Sequence, residues 1–184
     1  MLQNAETMVD PPFEKVIWAY SEWQPAYDDM KGVEFVKGLT EDQVKKENLR
    51  GHSCVVLDDM ADQIDGTFLG ALFTRISHHR NISIIFLLNN LFYKGLKTMR
   101  LVSLNTHYMV IFKSPRDKDS IATIARQMYG PDYKLMVQAY KDATEKKFGY
   151  LIIDSKSDTP EPIRLRTRIF EDSPICYVIK NGKV

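Results

Sequence analysis

The sequence predicts an α/β fold in which a mostly parallel sheet carries helices on both faces, with an antiparallel β extension at its C-terminal end. Two observations carry this. Up to residue 148, short β-branched and aromatic runs alternate with amphipathic segments, the pattern of a parallel sheet with crossover helices. From residue 149 onward strands follow strands, with turn residues and no helix between them. A chain of 184 residues suits one domain, read here as an α/β core over 1–148 and a β-rich extension over 149–184.

The elements follow in order. Residues 15–20 (KVIWAY) predict the first strand; Ser21 and Glu22 then offer a helix start, with a short helix running to Met30. Residues 33–36 predict a second short strand. Thr40 is placed to cap a helix over 41–48, with Gln43 near the capping-box position. Residues 53–57 run without polar alternation between Gly51 and two acids, which suits a central strand covered on both faces. A helix is predicted over 61–77, with Ile64, Phe68, Leu72 and Ile76 on one stripe. The clearest strand is 82–88 (ISIIFLL). A short helix over 96–104 and a third core strand over 108–113 (YMVIFK) come next. A helix over 117–128 puts Ile121, Ile124, Ala125 and Met128 on one face, Gly130-Pro131 breaks it, and another helix covers 132–147. Residues 150–154, 163–170 and 176–179 predict the closing strands.

The composition, 44% apolar and 27% charged, is that of an ordinary globular protein. The net charge of +1 supplies no global field toward nucleic acid or a membrane, so a DNA contact needs a local basic patch or an oligomer. Cys54 lies in an apolar run and reads as a small buried hydrophobe; with Cys176 it makes no zinc motif and no disulfide framework, which points to a reducing, intracellular compartment. No apolar run reaches the roughly 18 residues of a membrane span, and residues 1–14 lack the basic-then-apolar pattern of a signal.

The residues with chemical potential cluster at predicted strand ends. Val55-Val56-Leu57-Asp58-Asp59 puts two acids at a strand's C-terminal end, where open α/β sheets bind ligands. Asp58 there can hold Mg2+ through its water shell, and Asp59 can orient or deprotonate a water that attacks a γ-phosphate. A solvated turn is the plain alternative. Asn89-Asn90 ends the next strand and can hydrogen-bond that water and the phosphate, or can be turn chemistry alone. Arg75, His78, His79 and Arg80 form a cationic loop that fits DNA, a neighbouring subunit's nucleotide, or a solvated helix end. Arg100, Asn105 and Arg116 flank the 108–113 strand, with Arg100 and Arg116 the candidate nucleotide-binding cations; Arg116 could sense nucleotide or sit at the surface as part of a cap for the following helix. Arg164, Arg166 and Arg168 alternate, giving either a DNA-facing row or a charged sheet edge.

Taken together, residues 17–24 (IWAYSEWQ), 55–60, 78–92 (HHRNISIIFLLNNLF), 100–108 (RLVSLNTHY) and 112–117 (FKSPRD) resemble the FtsK/HerA-class genome-packaging ATPases of large DNA viruses, poxvirus-type, and of the self-synthesising transposons called Polintons or Mavericks. The resemblance covers roughly residues 1 to 170 and implies a P-loop NTPase-type (RecA/ASCE) fold. It makes Asp58 and Asp59 the metal and catalytic positions of a Walker B strand, and puts Asn89-Asn90 where the family often carries a Gln-Asn sensor pair. It also implies Mg2+ and ATP as cofactors, with double-stranded DNA and a homo-oligomeric ring as partners. A cytoplasmic, nuclear, virion or virus-factory setting follows, with no membrane.

One departure limits the resemblance. A phosphate-binding loop needs GxxxxGK[ST], and the 184 residues hold no such run; Gly95-Leu96-Lys97-Thr98 lacks the first glycine and follows the wrong strand. The chain reads as truncated at its N-terminus, with Met1–Met8 the tail of the helix after the loop. Weak or absent ATP binding, negligible hydrolysis by this chain alone, and an open slot in the sheet beside residues 53–57 are the expectations. A non-catalytic α/β interaction module or a relic of such an ATPase is the alternative.

Overall fold

A computed structural model describes residues 2–49, 51–90 and 97–179. They fall into two compact units, Met1–Asn105 and Thr106–Val184. The division follows Asn105 instead of 148, because the strand expected to complete the parallel sheet pairs elsewhere.

The first unit opens with a short helix α1 (Ala5–Met8) and is built on four parallel strands, β1 (Lys15–Tyr20), β2 (Val33–Lys37), β3 (Ser53–Asp58) and β4 (Ile82–Leu87), in the order β2-β1-β3-β4. β3 is central and its first five residues are buried, as an unbroken apolar run requires. Its register with β4 matches Asp58 to Leu87, so both strands end together. β3 is paired on both sides, by β1 and β4. The slot expected beside it is therefore filled. Among the described residues the borders of this sheet are the outer edges of β2 and β4.

Strand alternation gives the sheet two unlike faces. Ile17, Ala19, Val55, Leu57 and Ile82 pack with Val44, Met60, Ile64, Phe68, Leu69, Leu72, Phe73, Ile76 and Val102. Most of that layer comes from α2 (Gly66–Ala71), a π-helical turn (Leu72–Ile76) and α4 (Met99–Leu104), with Val44, Met60 and Ile64 from outside these elements; α3 (Ser77–Arg80) continues the turn and buries no residue. The four residues of the predicted stripe, Ile64, Phe68, Leu72 and Ile76, are all buried. The helix starts later than the pattern suggests, because Asp65 caps it by accepting from the Phe68 N–H at 2.8 Å. The other face carries Trp18, Cys54, Val56 and Phe35 beneath Tyr27, Phe13 and Leu2. Among the described residues, helices cover one face and an aromatic layer the other, in place of helices on both.

Two predicted helices shrink to 3-10 turns. Pro25–Tyr27 is a 3-10 turn, with Pro25 at its start and Tyr27 buried. The helix expected over 41–48 is two 3-10 turns, Asp42–Val44 and Lys46–Asn48, although Gln43 does accept from the Thr40 N–H at 2.8 Å.

The second unit holds β5 (Tyr108–Phe112), α5 (Lys118–Tyr129), α6 (Tyr133–Ala143), β6 (Tyr150–Asp154), β7 (Leu165–Thr167) and β8 (Ile175–Tyr177). Its strands form an antiparallel sheet in the order β5-β6-β7-β8. β5, expected as a third core strand of the parallel sheet, pairs antiparallel with β6, Tyr108 opposite Asp154 and Phe112 opposite Tyr150. Asp117 caps α5 by accepting from the Ser120 N–H at 3.1 Å and its hydroxyl at 2.5 Å. Gly149 carries the chain from α6 into β6; a Cβ there would meet the Ala143 carbonyl oxygen at 2.4 Å.

Candidate functional site

The parallel sheet brings Asp58, Asp59 and Asn89 to one end, because β3 and β4 run in register and stop together. Asp59 is exposed and has φ 53, a left-handed conformation that Asp tolerates better than most residues. The turn aims its carboxylate across the strand tips, where Asn89 Nδ2 donates to Asp59 Oδ1 over a long 3.4 Å. Two sequence-predicted groups thus meet on adjacent strands, and Asn90 beside them is exposed.

Asp58 is held differently. Its Oδ2 accepts from the Tyr27 hydroxyl at 2.7 Å and from Trp18 Nε1 at 3.2 Å. Burial, then the hydrogen bond to Asp58, pushes the Tyr27 phenol up to about 12. Tyr27 in turn stacks on Phe35 at 5.2 Å and packs against Trp18, Tyr20 and Trp23. The aromatic layer therefore fixes one oxygen of Asp58. Sequence reasoning missed this network, since Tyr27 and Trp18 lie 31 and 40 residues from Asp58; the cluster of five rings within residues 18–35 was its only trace.

The fit to Mg2+ and ATP is partial. Asp58 Oδ1 and Asp59 leave carboxylate oxygen for a hydrated cation, and Mg2+ needs few protein ligands. Among the described residues no group of three or more His, Cys, Asp or Glu side chains could hold a metal ion. Neither Asp58, Asp59 nor Asn89 lines the cleft of about 200 Å3 in this unit, and the 184 residues hold no GxxxxGK[ST] run to cradle phosphates.

That cleft belongs to the cationic segment. It is lined by Glu41, Ala71, Arg75, Ile76, His79 and Arg80. Arg75, His78 and His79 are exposed, and Arg80 Nη1 donates to the Val44 carbonyl at 2.5 Å. Arg80 precedes β4, so the group lies at the N-terminal ends of strands whose C-terminal ends carry Asp58 and Asp59. A six-residue strand spans about 17–20 Å, which separates these cations from the acids of the same chain. Arg100 is exposed on α4; Arg116 is exposed in the second unit, before α5.

The arginine row of the C-terminal part is not a free row. Arg164 Nη1 donates to the carbonyls of Asp154 and Lys156, its Nη2 to that of Thr159, and its Nε pairs with Glu161. Arg166 pairs with Asp154 at 2.6 Å, and Arg168, at φ 55, lies 4.0 Å from Glu171. Only Leu165–Thr167 is strand, so the three do not alternate along one face. Cys54 is buried, and burial pushes its thiol up to about 12, as a buried small hydrophobe requires. Residues 91–96, with Leu91, Phe92 and Gly95, lie outside the described residues. Among the described residues no helix is long and apolar enough to cross a membrane.

The fold and site define a mixed α/β protein with a four-stranded parallel sheet, an acid–amide cluster at its C-terminal strand ends, and a separate antiparallel sheet. Comparison with protein-family models, with curated proteins and with solved structures finds no match to this chain.

Proposed function

We propose that the first unit carries the metal- and water-positioning part of a P-loop-type ATPase of the FtsK/HerA packaging class, and that these 184 residues alone do not turn over ATP. One observation carries the reading: Asn89 Nδ2 reaches Asp59 Oδ1 at 3.4 Å across the ends of adjacent parallel strands. An acid that orients water beside an amide that senses phosphate is the arrangement phosphoryl transfer uses, and strand C-terminal ends are where such ligands bind. Asp58 is the metal-side acid and Asp59 the water-side acid. Arg75, His78, His79 and Arg80, at the far end of the sheet, act toward DNA or a neighbouring subunit, consistent with a homo-oligomeric ring on double-stranded DNA.

The absence of a phosphate-binding loop from the sequence is why catalysis is withheld, since that loop makes most of the phosphate contacts. One feature favours a second reading, a non-catalytic α/β interaction module: Tyr27 and Trp18 occupy Asp58 Oδ2, which makes that acid a structural acceptor.

Titration of the isotope-labelled full chain with Mg·ATP, followed by amide NMR, separates these readings. The ATPase reading expects weak, saturable shifts at Asp59 and Asn89, lost in Asp59→Asn, with no phosphate release. Shifts absent at those residues up to about 10 mM, well above ordinary substrate affinities, would sink it in favour of the module. Turnover abolished by Asp59→Asn would keep the ATPase assignment and overturn the inactivity.

A further inference from the structure

β5 presents the wrong side chains for a solvent-facing edge. Tyr108, Val110 and Phe112 are 46%, 41% and 59% exposed, whereas Met109 and Ile111 between them are more buried. The three share one face by strand alternation, beside Ile152 and Tyr150 of β6. Exposed edge strands normally carry charge, Pro or a bulge. This one carries two aromatic rings about 13 Å apart, four residues along a strand. The Phe112 and Tyr150 rings lie 6.2 Å apart, and Phe148, just before β6, is 80% exposed.

The charges around these rings select the occupant. Residues 106–184 hold 14 Lys and Arg against 10 Asp and Glu, a net charge of +4; residues 1–105 hold 11 against 14, a net charge of −3. The near-neutral whole conceals a basic second unit, a charge asymmetry that suggests a polyanionic partner. Lys156 Nζ lies 5.4 Å from the Tyr108 ring centroid, and Lys147 Nζ 4.9 Å from that of Phe148. The acid of β6, Asp154, is 2% exposed and paired with Arg166, so it offers no negative charge at the surface. Asp158 also acts on Lys156, which hydrogen-bonds Tyr108, so the cations are partly balanced in the chain itself. Exposed rings with ammonium groups beside them still match a chain of bases joined by phosphates, whereas an apolar protein surface would use the rings alone.

We propose that the β5–β6 face of the second unit binds single-stranded nucleic acid, with Tyr108 and Phe112 stacking bases and Lys147 and Lys156 meeting backbone phosphates. A span of about 13 Å suits two to three bases, and a duplex, whose base faces are hidden, is a poor ligand for such a platform. The inference does not rest on the reading of Asp59, which lies in the other unit.

The test is fluorescence anisotropy of the full chain with a labelled single-stranded oligothymidine and, separately, a duplex of equal length. Binding of the single strand is expected to be salt-dependent, with a log–log slope of about −1.4 from two phosphates. Tyr108→Ala and Phe112→Ala each weaken it about tenfold or more, the effect of losing one stacked base. Phe112→Trp retains affinity, and its added emission is quenched by the oligonucleotide. Both alanine variants replace exposed rings, and circular dichroism melts check that they fold. Three results overturn the proposal: no single-strand binding by the folded chain at about 100 μM, the weak end of ordinary non-specific binding; equal affinity in the alanine variants; or duplex bound as well as single strand. Self-association lost in Phe112→Ala, without oligonucleotide binding, assigns the face to a protein contact and equally overturns it.

Discussion

Replacing Tyr27 with Phe tests how Asp58 is held. The substitution removes one hydroxyl, which donates to Asp58 Oδ2 at 2.7 Å, and leaves the ring on Phe35 and the Trp18 Nε1 bond at 3.2 Å in place. No cavity of consequence opens. A hydrogen bond to a charged group contributes about 1.5–3 kcal/mol net, and Asp58 is only half-buried and regains some water, so the lower end applies, about 1.5 kcal/mol. For a unit of this size that lowers Tm by about 6–12 °C. Both tryptophans of the chain, Trp18 and Trp23, touch Tyr27, so tryptophan emission reports this unit's unfolding directly. The pH dependence gives a second readout. An unfolded tyrosine ionises near 10, and folded Tyr27 holds its proton to about 12. Between these values the folded state binds more protons, so its contribution is complete below pH 10 and is lost as pH rises toward 12. Tyr27→Phe abolishes that alkaline decline. Unchanged urea midpoints at neutral pH, or the same loss above pH 10 in the variant, would refute the account of Asp58 as a carboxylate fixed by the aromatic layer.

Other predictions concern the second unit. Arg166→Met strands the Asp154 carboxylate, 2% exposed and otherwise hydrogen-bonded only weakly, at 3.2 Å from the Lys156 N–H; a loss of about 3–5 kcal/mol is expected in urea melts followed by circular dichroism, and a change under 1 kcal/mol would return Arg166 to the role of a surface cation. Gly149→Ala drives a Cβ to 2.4 Å from the Ala143 carbonyl oxygen and 3.0 Å from that of Lys146, both backbone atoms that cannot swing aside. It costs about 1–3 kcal/mol by the same measurement, and wild-type stability would contradict the close approach.

What the sequence revealed, and what it hid, follows from the range of the forces involved. β3 and β4 were legible because a buried parallel strand must be apolar throughout, and the predicted 53–57 and 82–88 differ from the observed strands by one residue each. β5 was legible as a strand and misleading as to its sheet. Its exposed Tyr108, Val110 and Phe112 are as apolar as Met109 and Ile111, so the alternation that marks a half-exposed strand was masked. Its partner, β6, lies beyond two helices, and pairing over that distance leaves no local mark. The predicted helix at 21–30 failed at Pro25, where Tyr27 turns inward to reach Asp58. At the candidate site, the acid and amide positions were readable from strand ends. The left-handed turn at Asp59 and the occupation of Asp58 Oδ2 were not, since both depend on neighbours distant in sequence.

The unpaired border of β4 has a consequence for growth. Its six residues, ISIIFL, carry no charge, while the opposite border, β2, carries Glu34 and Lys37, with Glu34 bridged to Lys15 at 2.8 Å. One border is guarded and the other is not. Among the described residues, a strand added to this sheet meets less charge at β4 than at β2. Two copies meeting at β4 about a twofold axis would make one continuous eight-stranded sheet with both guarded borders outward, and extension would end at the pair. In such a pair the charged borders would limit the growth that the bare one invites.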